Sequence, residues 1–210
     1  MDRLRLLPHS APERLVGPVV RRLAALGVTP DMISFASIGG NVAAGVLAAN
    51  GQLIAAGIVM LVFSAMDFLD GALARATGRA SSYGALLDSV LDRASEGAVL
   101  FGILVYQLDR GHSEESALIF AAMFGSLMVS YIRARAEGLG IELREGLFTR
   151  PERVLLLALA LISGWLRLGL WILAVLTLLT AAQRFISAAR TLRQQRTMSD
   201  NPDASSGEER

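Results

Sequence analysis

The chain has 210 residues, 53% of them hydrophobic, and a mean hydropathy of +0.48, too apolar for a soluble domain of this size. With no cysteine, a disulfide scaffold, a thiolate zinc site and a cysteine nucleophile are excluded. The net charge of +1 conceals a pattern, because all 20 basic residues are arginines clustered between long apolar runs, whereas a nucleic-acid surface would want a basic stripe on a soluble face.

At the N-terminus Pro8, Pro12, Glu13 and Arg14 stand where a secretory signal would need an unbroken apolar core, so no cleavable signal is expected. From 13 to 26, Leu15, Val19, Leu23 and Leu26 recur at helical spacing with Arg14 and Arg21 on another side, which predicts an amphipathic helix lying on the membrane. Gly27 is placed to end it, and Thr29-Pro30 to open the next helix as N-cap and first residue. No charge falls between Asp31 and Asp67, and Asn50-Gly51-Gln52 interrupts that run near its middle. This predicts a hairpin of two spanning helices.

Further apolar segments cover 94–108, 116–132, 154–166 and 168–182, for six spans in all. The fifth is short, with 13 uncharged residues between Arg153 and Arg167, and needs snorkelling arginines at both ends. With the N-terminus inside, only Arg110 and Arg167 fall on charged outward loops, and the positive-inside rule favours that orientation. The expected fold is an all-α integral membrane protein of the cell membrane, both termini cytoplasmic. An N-terminal segment (1–30) with a juxtamembrane amphipathic helix precedes a six-helix domain (31–196). The polar stretch 197–210 has no apolar periodicity and is expected to be a disordered cytoplasmic tail.

Asp67, Asp70, Asp88, Asp92 and Glu96 lie in or beside apolar helices, where carboxylates are functional suspects. Asp67 and Asp70 are three positions apart and Asp88 and Asp92 four, so each pair shares one helix face, and the short connection 76–82 brings both pairs to the same membrane boundary. Four carboxylates in a partly desolvated volume repel one another unless protons or cations intervene. One or two hard divalent cations, Mg²⁺ or Mn²⁺, suit all-oxygen donors. His9 and His112 lie in a terminal segment and an outward loop and are not expected as ligands. The plainer alternative is two solvated acidic helix ends paired with Arg75, Arg79 and Arg93.

The segment Asp67-Phe-Leu-Asp70-Gly71-Ala-Leu-Ala74-Arg75, followed after eight residues by Gly84-Ala-Leu-Leu-Asp88-Ser-Val-Leu-Asp92, resembles the signature of the CDP-alcohol phosphotransferases, with all eight fixed positions present over 26 residues. The hydropathy pattern and the Gly27-Val28-Thr29-Pro30 approach are similar to that family too, over roughly residues 13–196. The resemblance implies transfer of a phosphatidyl group from CDP-diacylglycerol to a hydroxyl acceptor, with release of CMP, by a metal-dependent enzyme holding two ions. It implies Asp67, Asp70 and Asp88 as metal ligands and Asp92 as general base with metal contact. Gly71 offers a surface without a side chain and Arg75 a phosphate-matching fork, forming the CDP-binding pair. Pro30, Asp31 and Ser81 match positions that the family uses around the nucleotide.

The family varies its acceptor. Arg133, Arg153 and Arg184 come from three inward helix ends and would suit a phosphorylated polyol, since guanidinium binds phosphate bidentately. Anchoring to the anionic inner leaflet is the alternative. The segments 130–137 and 150–153 resemble the phosphatidylinositol-phosphate synthase branch, whose acceptor is inositol phosphate and which commonly has lysine in place of Arg133. Glycerol 3-phosphate is the alternative acceptor, free inositol or serine rank lower, and a metal-ion transporter is the reading from another class. Ala36, Gly40 and Ala44 raise the expectation of a helix-packed homodimer.

Overall fold

The computed structural model describes residues 11–143 and 146–200 of the chain. His9, the start of the N-terminal segment and residues 201–210 of the expected tail lie outside the described residues. Every described element is an α-helix: α1 (Ala11–Ala25), α2 (Pro30–Ala49), α3 (Leu53–Ala76), α4 (Ser82–Asp109), α5 (Ser113–Glu137), α6 (Arg150–Ser163) and α7 (Leu166–Asp200).

Four are long and apolar enough to cross a membrane: α2, α3, α5 and, over Leu166–Gln195, α7. Length and composition do not by themselves carry the expected count of six. The helix α6 has only 14 residues, and α4 carries Asp88, Asp92, Arg93 and, just past its midpoint, Glu96, leaving too short an uncharged stretch. Two boundaries also differ from expectation. The last apolar run is broken at Gly164, whose φ of 78° ends α6, so Arg167 sits in the first turn of α7 and not between segments. That helix then continues to Asp200, past the boundary expected at 196.

The chain forms two compact units, one running through Tyr106 and the other from Gln107 onward. In the first, Gly27 ends α1 at φ 75°, and Thr29 caps α2 by accepting from the Met32 N–H at 3.3 Å, with Pro30 in the first turn. The face of α1 that packs is Val20, Leu23 and Ala24, against Met66, Leu69, Ala72 and Leu73 of α3. Val19 and Leu26, expected on the same apolar stripe as Leu23, are exposed. The α2–α3 hairpin is pinned by polar contacts away from water: Ser37 Oγ donates to the Phe63 carbonyl at 2.8 Å and Ser64 Oγ to Asn41 Oδ1 at 3.3 Å.

Glycines let the backbones of α2 and α4 touch. A Cβ on Gly45 would strike the carbonyl of Ala98, and one on Gly102 the carbonyl of Gly45. Gly40 faces the Phe63 ring and Ala44 is fully buried. The small-residue stripe expected to serve a homodimer is thus largely spent inside the chain, with only Ala36 of the three left exposed.

In the second unit, α5 and α7 approach closely where Gly125 meets Thr177. The Thr177 hydroxyl is satisfied by the Leu173 carbonyl at 2.8 Å, so it is buried at no polar cost. Glu114, in the first turn of α5, accepts from Arg167 and from Trp171 Nε1 and ties that turn to the start of α7. Ile141 and Leu143, beyond α5, are buried against Val129, Ile132 and Ala181.

Candidate active site

Local sequence shapes the site within the first unit. α3 closes on Gly78 in the left-handed region (φ 66°), with the Arg79 N–H returning to the Ala74 carbonyl at 2.9 Å, which turns residues 79–81 out of the helix line. Ser81 then caps α4, its Oγ accepting from the Gly84 N–H at 3.0 Å. Between these turns and the start of α2 lies a cavity of about 220 Å³, lined by Pro30, Asp31, Ser34, Asp70, Gly71 and Arg75 on one side and Arg79, Ser81, Gly84 and Asp88 on the other.

All five residues expected around the nucleotide, Pro30, Asp31, Gly71, Arg75 and Ser81, therefore line one cavity with two of the expected metal ligands, Asp70 and Asp88. Arg75 Nη1 lies 3.4 Å from where a Gly71 Cβ would stand, so the guanidinium runs along the bare glycine. Asp70 is buried (6% exposed), accepts from Ser34 Oγ at 2.7 Å and feels the negative charge of Asp88 and Asp67. Asp67 and Asp92 do not line the cavity; both are half-buried, Asp67 three residues before Asp70 on α3 and Asp92 four residues beyond Asp88 on α4.

Among the described residues no three acidic or histidine side chains stand close enough together to hold one ion as placed. The donor chemistry nevertheless fits a hard divalent cation: oxygen-only carboxylates from two helices converge on a cavity, and their mutual repulsion favours a positive charge between them.

The arginines expected to meet the acceptor lie in the second unit and differ from one another. Arg153 and Arg184 are buried, at 4% and 7% exposure. Arg184 Nη1 donates to the Val129 carbonyl at 3.1 Å, and its guanidinium passes so close to Gly146 that a Cβ there would lie 2.7 Å from Nη2. Arg133 is exposed and paired with Glu137 one turn on, at 2.8 Å. Gln183 Oε1 accepts from the Leu147 N–H at 3.2 Å and so ties α7 to the segment before α6.

Sequence reasoning overlooked Ser34. Its spacing of three and four residues from Asp31 and Pro30 was the available signal, because it puts all three on one face of α2.

The family model for CDP-alcohol phosphatidyltransferase matches residues 27–183. A phosphatidylinositol phosphate synthase of Mycobacteroides abscessus is 37% identical over 209 residues, covering 95% of this chain and 94% of the relative. Two crystal structures of Mycobacterium tuberculosis phosphatidylinositol phosphate synthase are similar at 32% identity. One, with CDP-DAG bound, superposes at a TM-score of 0.77 over 83% of this chain and 94% of that one. The other, in complex with manganese and citrate, does so at 0.75 over 82% and 88%. This multi-pass membrane protein belongs to the CDP-alcohol phosphatidyltransferase family and is an enzyme of that type.

Proposed function

We propose that this chain transfers the phosphatidyl group of CDP-diacylglycerol to a hydroxyl of inositol phosphate and releases CMP. The observation that carries the reading is the single cavity in which two signature carboxylates, Asp70 and Asp88, share walls with Arg75, Arg79 and the bare backbone of Gly71. A site with both charges suits a pyrophosphate donor together with cations. The similar M. tuberculosis structures, one holding CDP-DAG and the other manganese, support both halves of that statement.

In this reading Pro30, Asp31 and Ser81 surround the nucleotide, while Gly71 admits the pyrophosphate to within reach of Arg75 and Arg79. Asp67, Asp70, Asp88 and Asp92 would hold two divalent cations, Mg²⁺ or Mn²⁺, which when bound would supply charge neutralisation for the departing CMP. Asp92 takes the proton from the acceptor hydroxyl as its oxygen bonds to the lipid-side phosphorus and the bond from that phosphorus to the CMP oxygen breaks. The acceptor phosphate is gripped by Arg153 and Arg184, with Arg133 at the exposed edge. Burial strengthens the first two as anion ligands, because their charge is screened less by water.

Six membrane helices, α2 to α7, complete the proposal, with both termini and the cavity on the cytoplasmic side. The arginine distribution supports that orientation. The exposed Val19 and Leu26 beside exposed Arg21 and Arg22 support a place for α1 on the inner leaflet surface.

CMP release measured with inositol phosphate and with glycerol 3-phosphate, on the wild type and on Arg153→Ala, tests the acceptor. The variant is expected to raise the acceptor KM about 10- to 100-fold with donor KM nearly unchanged, the cost of one lost charge-assisted contact. Arg153→Lys should recover only part, because lysine keeps the charge without the planar fork. An unchanged acceptor KM would remove Arg153 from the pocket.

A further inference from the structure

Ser34 is buried, at 7% exposure, on the inner face of α2. Its hydroxyl stands between two acceptors from different parts of the site: Asp70 Oδ2 on α3 at 2.7 Å, and the carbonyl of Pro30 one turn back at 3.3 Å. The single hydroxyl proton belongs to the shorter contact, to the carboxylate, and the Pro30 carbonyl at 3.3 Å is the weaker, competing acceptor. The carboxylate of Asp70 is thus held at the cavity wall by the same turn of α2 that presents Pro30 and Asp31 to the cavity.

We propose that Ser34 is a positioning residue for the metal-binding carboxylate of Asp70, setting the direction in which that carboxylate meets a divalent cation and linking it to the nucleotide end of α2. The inference rests on the reading of Asp70 as a metal ligand. An outer partner of this kind holds a ligand in one orientation and removes the rotational freedom that binding would otherwise have to freeze. Its loss typically lowers metal affinity by roughly 10- to 100-fold. The neighbouring Ser37 provides the control, since it is also a buried α2 serine, with a hydroxyl that donates to the Phe63 carbonyl and not to a carboxylate.

The test is binding of Mn²⁺ alone to the purified full-length protein, followed by electron paramagnetic resonance, together with transferase kinetics over a range of metal concentrations. Ser34→Ala is expected to weaken Mn²⁺ binding by about 10-fold or more and to shift the metal requirement of the reaction upward, with much of kcat regained at saturating metal. Ser34→Thr should bind Mn²⁺ close to the wild type, because threonine keeps the hydroxyl that donates to Asp70. Ser37→Ala should leave Mn²⁺ affinity unchanged. Should Ser34→Ala fail to fold, Ser34→Cys, which leaves no cavity and keeps a weaker donor, is expected to fall between alanine and the wild type. Unchanged Mn²⁺ affinity in the folded alanine or cysteine variant overturns the proposal, as does a change confined to the donor KM, which would make Ser34 a nucleotide contact. A wild type that binds no Mn²⁺, or an Asp70→Asn variant that binds it as well as the wild type, would defeat the metal-site reading itself.

Discussion

Replacing Asp70 with asparagine is expected to lower CMP release on the order of 1000-fold, because several kcal/mol of charge stabilisation depend on the cation that this carboxylate helps to hold. Asparagine keeps the shape and can still accept from Ser34 through its amide oxygen, so packing against α2 survives, while the charge and the contact that the second carboxylate oxygen accepts from the Gly71 N–H are lost. The same change relieves the repulsion that Asp88 and Asp67 exert on Asp70. Relieved repulsion and the lost Gly71 contact oppose each other, so the thermal midpoint of the metal-free variant should stay close to that of the wild type while activity collapses. Loss of activity accompanied by a lower midpoint would point instead to a structural role for Asp70. Asp31→Asn, at an exposed position on the rim of the cavity, is the comparison that should cost far less.

The second large effect concerns folding. Gly102→Val would drive a branched side chain into the carbonyl of Gly45, and helix backbone cannot move aside as a flexible side chain can. A destabilisation of about 3 kcal/mol or more is expected, visible as lost monodispersity in detergent and a lowered midpoint. Gly97→Ala on the same helix meets nothing within 4 Å and should be neutral or slightly stabilising, since alanine is the better helix former. Equal behaviour of the two variants would contradict the close approach of α2 and α4.

Much of the site was legible in the sequence because its signals are local. Gly27, Thr29 and Pro30 act through their own backbone conformation, and the signature spacing puts Asp70, Gly71 and Arg75 on adjoining positions of one helix and Asp88 on the next. What the sequence hid depends on partners far along the chain. Ser34 reads as an ordinary small polar residue until α3 brings Asp70 to it across 36 positions. The stripe of Ala36, Gly40 and Ala44 looks the same whether it meets a second copy or the chain's own α3, and only tertiary packing gives Gly40 to Phe63. Hydropathy placed the last break at Arg167 because charge is its only marker; the chain breaks at Gly164, where conformation decides. Arg133, Arg153 and Arg184 look equivalent as arginines, yet one ends exposed against Glu137 and the other two buried.

The most direct measurement is the lipid product made by the purified protein from CDP-diacylglycerol and labelled inositol phosphate, with labelled glycerol 3-phosphate run beside it in the presence of Mg²⁺ or Mn²⁺. The account predicts that label from inositol phosphate enters the lipid phase in step with CMP release, and that glycerol 3-phosphate is incorporated far more slowly. Preferential incorporation of glycerol 3-phosphate, or CMP release that proceeds without any labelled lipid, would contradict it.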